Sequence, residues 1–295
     1  MAAGSTAARG GPRETSGGSV PRIVVGTTSR RQSAPYSPAT VTHSTAPSPP
    51  LAADTFPRLL LAHAAARPGA PAVREKDLGI WQTWTWQETA TVVREMACGL
   101  ASLGFEAFDN LAIVGANRPH LYMAVVAAQC LRGVPVPLYQ DAVAAEMVFM
   151  LEDASIEFVV AEDQEQVDKL LECRETRPDL RHIVYDDPRG LRHYTQPGLL
   201  SFDRLRELGR AYDAAHPGFF DEAVQSGRSG DVGVILYTSG TTGRPKGVCQ
   251  THASFIAAGH GGVVTDRLGP GDDIMSYLPM AWVGDHLFSV AQWLV

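Results

Sequence analysis

From Thr55 onward apolar residues recur with alternating helical and extended periods, and each segment closes at a turn residue. Phe56, Leu59, Leu60 and His63 fall at helical spacing, and Pro68-Gly69 ends that run. Ala72-Val73-Arg74 and Ile80 to Thr85 read as a hairpin around Asp77-Leu78-Gly79, and Thr85 with Glu88 forms a capping box for the next helix. There Val92, Val93, Met96, Leu100 and Leu103 make one stripe, closed by Gly104. Leu111 to Val114 reads as a short buried strand. Asn117 is placed to cap a helix with Pro119 in its first turn, running to Arg132 and stopped by Gly133.

Val134-Pro135-Val136-Pro137-Leu138 is extended but punctuated by proline, which places it at a sheet margin or a strand end. The alternation continues with a helix over Ala144 to Leu151, a strand over Ile156 to Val160, a helix over Gln164 to Leu171 and the strand Ile183 to Tyr185. Strand and helix succeeding each other in this way predict right-handed parallel crossovers and an α/β fold. Residues 186–230 give only a helix from Phe202 to Leu208 and a polar loop before the strand Val232 to Leu236.

Residues 1–54 differ in kind. Ala, Gly, Ser, Thr and Pro dominate them without hydrophobic period, so a disordered tail is expected ahead of a folded body over 55–295. A transit peptide, an Ala-rich tail and a start codon assigned too far upstream all fit this leader. Residues 1–53 carry five arginines against the single acid Glu14. Of 25 basic and 32 acidic residues, twenty and thirty-one therefore remain in the body, a balance of −11. So acidic a body argues against nucleic-acid binding. The four cysteines are scattered, with no spacing suited to zinc or a disulfide framework. No apolar run reaches the ~18 residues of a membrane span, and a cytoplasmic body is expected, without a metal site of its own.

One segment carries chemistry. Tyr237-Thr238-Ser239-Gly240-Thr241-Thr242-Gly243-Arg244-Pro245-Lys246-Gly247-Val248 follows an apolar strand and is rich in glycine and hydroxyls. Glycine lets the backbone approach a ligand, successive N–H groups form an anion nest, and the hydroxyls add donors. Lys246 supplies one positive charge suited to phosphate oxygens. The P-loop of NTPases requires four residues between a glycine and Gly-Lys-Ser/Thr. That spacing fails, because Pro245 or Val248 stands where the second glycine belongs. An ordinary surface turn has a similar composition, but the fixed proline and lysine favour a phosphate cradle.

The run resembles the phosphate-loop signature of the adenylate-forming superfamily, Tyr-Thr-Ser-Gly-Ser/Thr-Thr-Gly-x-Pro-Lys-Gly, which includes acyl-CoA synthetases, luciferases and peptide-synthetase adenylation domains. Thr83-Trp84-Thr85-Trp86-Gln87-Glu88, Ala116-Asn117-Arg118-Pro119 and Val136-Pro137-Leu138-Tyr139 resemble further family segments in the expected order. Tyr277-Leu278-Pro279-Met280-Ala281-Trp282-Val283-Gly284-Asp285-His286 is similar to the Leu-Pro-Leu-Ala-His-x-x-Glu segment of long-chain fatty-acid CoA ligases, with Trp282 in place of histidine and Asp285 in place of glutamate.

The resemblance implies the N-terminal part of a large domain with αβαβα-type layered sheets. It also implies ATP-dependent, AMP-forming activation of a fatty acid, with Mg²⁺ on the phosphates and coenzyme A as acyl acceptor. Thr238, Ser239, Gly240, Thr241, Thr242, Gly243 and Lys246 are the implied phosphate cradle, and Trp282 and Asp285 the implied border of an acyl pocket. Trp282 equally suits a core filler, and His252, after the helix-capping Thr251, suits a structural role. Peripheral membrane contact for a lipid substrate is a further expectation. An aryl, amino or luciferin-like acid, or a non-catalytic nucleotide-binding remnant, remain alternatives. The family's adenine-stacking segment, ribose aspartate, hinge and C-terminal catalytic lysine have no counterpart here. A truncated product, inactive alone, is therefore expected, and no residue of this chain is assigned as catalytic.

Overall fold

The structure, a computed structural model, describes residues 53–238 and 244–295. Asp54 pairs with Arg58 in the first turn of α1 (Phe56–Ala66). The hairpin β1 (Pro71–Asp77) and β2 (Ile80–Thr85) leads into α2 (Trp86–Ser102), and the capping box forms as the sequence indicates. The Glu88 N–H donates to Thr85 Oγ1 at 3.2 Å, and the Thr85 N–H donates to Glu88 Oε2 at 2.8 Å. Both orphan donors at this helix end are thereby satisfied.

Next come β3 (Asn110–Val114), α3 (Pro119–Cys130), β4 (Val134–Leu138), α4 (Ala144–Asp153), β5 (Phe158–Ala161), α5 (Gln164–Thr176), β6 (His182–Tyr185) and β7 (Leu199–Ser201). The five strands β3 to β7 form one all-parallel sheet in the order β4-β3-β5-β6-β7. The proline-bearing strand is at its edge, paired only with β3 and in register from Asn110↔Val134 to Val114↔Leu138. An edge position tolerates the missing N–H groups of Pro135 and Pro137.

Alternation along the strands divides the interior in two. Leu111, Ile113, Phe158, Val160 and Val184 face a core shared with α1, α2 and α3. Ala112, Val114, Val136, Leu138, Val159 and Ala161 face a second core built on α4 and α5. Helices on both faces of a parallel sheet give the first layers of the expected fold.

Residues 186–230 hold more structure than their composition suggests. Beyond β7, α6 (Phe202–Ala215) runs past Leu208, and α7 (Phe219–Ser226) occupies a stretch read as loop. The extension of α6 has a tertiary cause, its crossing with α2. A Cβ on Gly209 would lie 1.7 Å from the Glu95 carbonyl oxygen, and one on Gly99 would lie 2.4 Å from that of Leu205. Ion pairs of Arg94 with Asp213 (2.8 Å) and of Arg206 with Glu95 (2.6 Å) flank the crossing.

Two local readings are corrected. Asn117 does not cap α3: Arg118 holds the cap position without a side-chain bond, because the Asn117 amide is drawn into tertiary contacts. α3 ends at Cys130 rather than running to Arg132, and Arg132 (φ 61°) takes the left-handed turn ahead of Gly133. Glycine is needed at 133 because a Cβ there would sit 2.3 Å from the Phe105 ring.

An alanine at an exposed helical glycine stabilises by about 1 kcal/mol. At the α2–α6 contact the sign reverses: Gly209→Ala is expected to destabilise by about 1–3 kcal/mol through overpacking. The urea midpoint measures it, and a raised midpoint would mean the helices do not meet there.

Candidate functional site

β8 (Val232–Thr238) and β9 (Lys246–Thr251) form a separate antiparallel hairpin, and their register pairs Thr238 with Lys246. The two ends of the implied phosphate loop are thus set side by side, both exposed. Ser239, Gly240, Thr241, Thr242 and Gly243 lie outside the described residues.

The hairpin is fixed from below. β8 directs Val234 and Leu236 into the first core and Tyr237 into the second. Gln129 Nε2 of α3 donates to the Gly233 carbonyl at 2.7 Å, and Tyr237 donates its hydroxyl to Asp153 of α4 at 2.7 Å. Burial, and then the Asp153 carboxylate, push the Tyr237 phenol well above its ordinary value, so it stays a donor. At the far end Thr251 caps α8 (His252–Asp266), accepting the Ser254 N–H at 3.2 Å. Beside the loop lies a cleft of about 800 Å³ whose wall includes Tyr139, Ala145, Phe149, Tyr237, Thr238 and Arg244. The Arg244 guanidinium sits over the Phe149 ring, 5.7 Å from its centre.

The second implied segment forms α9 (Val283–Asp285), a π-helical turn (His286–Ala291) and α10 (Gln292–Leu294). Trp282 precedes it at 47% exposure, whereas Asp285 is 2% exposed. The buried carboxylate accepts from three side chains: the Tyr122 hydroxyl at 2.9 Å, Ser289 Oγ at 2.8 Å and Asn117 Nδ2 at 3.1 Å. Asn117 also donates to the Leu278 carbonyl at 2.9 Å. Burial raises the Asp285 pKa, and the three donors oppose that rise.

Trp282 and Asp285 therefore occupy different settings, and no hydrogen bond among the described residues joins either to Thr238 or Lys246. His286 turns away from its neighbour Asp285. It packs edge-on against Phe56 and Phe255, with His252 also edge-on to Phe56. The Phe56 N–H donates to His252 Nδ1 at 3.4 Å, so His252 sits in the structural role its position suggests.

Sequence reading missed the partners of Asp285. Tyr122 reads as one more apolar position of a buried helix, and only the i, i+4 spacing of Asp285 and Ser289 was a visible signal. A further polar cluster lies where the strand order reverses, between the carboxyl ends of β3 and β5. In open α/β sheets such a crevice commonly takes ligand. Here it is filled by the chain itself: Glu162 receives the Ala116 N–H and Arg118 Nε, both at 2.7 Å, and Arg118 reaches Glu75 of β1 at 2.7 Å.

A hairpin carrying the two ends of the implied phosphate loop stands beside a parallel sheet covered on both faces, an α/β domain. The AMP-binding enzyme family profile matches residues 60–295, and the chain belongs to that family. Long-chain-fatty-acid–CoA ligase FadD15 of Mycobacterium bovis is 29% identical over 215 residues, covering 72% of this chain and 34% of its own length. Long-chain-fatty-acid–CoA ligase ACSBG2 of Rattus norvegicus is 28% identical over 230 residues, covering 75% and 33%. The chain thus spans about a third of the length of these relatives. Among solved structures, the N-terminal domain of FACL13 from Mycobacterium tuberculosis superposes with a TM-score of 0.63 at 24% identity, over 81% of this chain and 55% of that one. Acetoacetyl-CoA synthetase from Streptomyces lividans gives 0.67 at 21%, over 81% and 37%.

Desolvation pushes His252 down to about 4 and His286 down to about 3 from the ordinary 6.5. Both are neutral when folded, and the unfolded chain takes up their protons first. The stability they support is complete above pH 6.5 and is lost as pH falls from 6.5 towards 3. The thermal midpoint is expected to drop across that window, and His286→Phe is expected to flatten the drop. Replacing Asp285 by Ala leaves the buried Tyr122 and Ser289 hydroxyls without their acceptor and is expected to cost about 3 kcal/mol, against about 1 kcal/mol for Tyr122→Phe. Denaturant titration of both variants checks the ratio.

Proposed function

We propose that this stretch carries the phosphate cradle of an ATP-dependent, AMP-forming acid–thiol ligase acting on long-chain fatty acids. The observation that carries the reading is the pairing of Thr238 with Lys246 across the mouth of the hairpin, which puts a hydroxyl donor and a cation at one loop in a chain of the AMP-binding enzyme family. The relatives named as long-chain-fatty-acid–CoA ligases support the substrate class. As the chain spans about a third of their length, the complete reaction is proposed for the full-length architecture.

A carboxylate is a poor electrophile, and joining it to AMP makes its carbonyl open to attack. A carboxylate oxygen attacks the α-phosphorus, the bond to the bridging oxygen breaks, and pyrophosphate leaves with that electron pair. The thiol of coenzyme A then attacks the carbonyl and AMP departs. Lys246 neutralises charge on the outgoing phosphates, and Thr238, Ser239, Gly240, Thr241, Thr242 and Gly243 offer hydroxyl and backbone donors around them.

No group of three or more acidic, histidine or cysteine side chains suited to a metal occurs among the described residues. No step here is routed through Mg²⁺. Trp282, half exposed, offers a large apolar face at the acyl side, and buried Asp285 sets the turn that carries it. No described helix is long and apolar enough to cross a membrane. The free cysteines Cys98, Cys130, Cys173 and Cys249 suit a reducing, cytoplasmic compartment.

A charge-assisted contact contributes about 1.5–3 kcal/mol, or roughly ten- to a hundredfold in affinity. Lys246→Ala is expected to weaken ATP binding by that factor in calorimetric titration, with the thermal midpoint unchanged. Equal affinity in wild type and variant would refute the cradle.

A further inference from the structure

The tip of the β1–β2 hairpin departs from the rules that govern the rest of the surface. Its turn residues Leu78 and Gly79 both have positive φ, 45° and 84°, the pattern of the two-residue hairpin turn that favours Asn-Gly or Asp-Gly. Leucine at the first of these positions is strained. It is also 84% exposed, and Ile80 and Trp81 follow at 66% and 64%. Asparagine would relieve the backbone and remove the apolar surface at once, so folding gives no reason for leucine here.

The base of the hairpin is firmly mounted. Trp84 packs edge-on against His120 at 5.6 Å, and His120 stacks on Phe202 at 4.0 Å and bonds to Asp186 at 2.7 Å. Glu75 pairs with Arg118 at 2.7 Å, and Trp293 Nε1 donates to the Ala72 carbonyl at 2.9 Å. The tip is therefore held out rigidly from the body.

The two faces of the hairpin differ in charge as well as packing. Alternation puts Val73, Glu75, Gln82 and Trp84 on the inner face, and Arg74, Lys76, Trp81 and Thr83 on the outer. Lys76 lies directly opposite Trp81 and is exposed, without an ion-pair partner among the described residues. Asp77 lies opposite Ile80 on the other face of the hairpin from Lys76 and Trp81. The tip thus combines two aliphatic side chains at its end with an indole and an ammonium side by side behind them. A bilayer offers both settings, a hydrocarbon margin for the aliphatic end and an interface with anionic headgroups for the indole and the ammonium.

We propose that the Leu78–Trp81 tip is a membrane-docking element that inserts into the surface of an anionic bilayer, with Lys76 on the headgroups. Docking there would hold the domain where long acyl chains partition. Vesicle binding is read without ATP or acyl acceptor, so its failure leaves the adenylation reading standing.

The test is flotation of the 295-residue chain with phosphatidylcholine vesicles containing about one third phosphatidylglycerol, compared with pure phosphatidylcholine. Wild type is expected to float with the anionic vesicles, less at high salt, and with a blue shift of tryptophan emission. In Leu78→Asn the partition coefficient is expected to fall severalfold while the thermal midpoint holds or rises, which separates docking from folding. Trp81→Gln is expected to lose about tenfold, or 1.4 kcal/mol, together with the blue shift. Equal flotation of wild type and both variants, or a blue shift surviving in Trp81→Gln, would overturn the proposal. So would self-association in sedimentation that the same variants abolish, since the tip would then belong to a protein contact.

Discussion

A purely parallel sheet cannot leave a face to water, and the arrangement of this chain follows from that constraint. Each inner strand must be apolar on both sides, and the returns from β3 through β6 carry a helix across one face, whereas the return to edge strand β7 over residues 186–198 has none. β3 and β5 alternate between the two cores with scarcely a polar side chain, and β4 is buried along its whole length. Every loop that follows a strand is thereby gathered at one edge of the sheet. Ala116 and Arg118, which follow β3, meet Glu162, which follows β5, there for this reason.

The phosphate hairpin depends on this frame while standing outside its hydrogen-bond ladder. Two strands alone are marginal in water, and β8–β9 is stabilised by what lies beneath it. Gln129 and Tyr237 tie it to α3 and α4, and Arg132 pairs with Asp231 at 2.9 Å just before β8 begins. The loop's ends are thus carried on a rigid element, the condition for positioning a triphosphate without reorganisation. Polar groups within the interior serve geometry. Asp285 gathers Asn117, Tyr122 and Ser289 and joins the start of α3 to the final helical turn. A lone buried carboxylate would be far costlier than this satisfied one.

Legibility in the sequence followed the range of the forces. The capping box of α2, the Thr251 cap of α8 and the edge position of the proline strand were all readable, because each rests on neighbours within a few residues. Asn117 was misread as a cap, since its amide partners lie more than 160 positions away at Leu278 and Asp285. The length of α6 and the presence of α7 escaped for the same reason. Gly209 looks like a helix breaker until Glu95 of α2 is seen against it.

Alternation, turn residues and the motif from Tyr237 to Val248 sufficed to place the chain among α/β folds and to single out the loop proposed to hold phosphate, because period and backbone freedom are local properties of a polymer. Three-dimensional packing alone decided that Thr238 and Lys246 stand opposite each other, that Asp285 is enclosed while Trp282 is not, and that the crevice at the reversal of strand order is filled by Arg118 and Glu162. Those outcomes depend on which surfaces meet and exclude water, and the partners of Asp285 and of Arg118 lie far from them in the sequence.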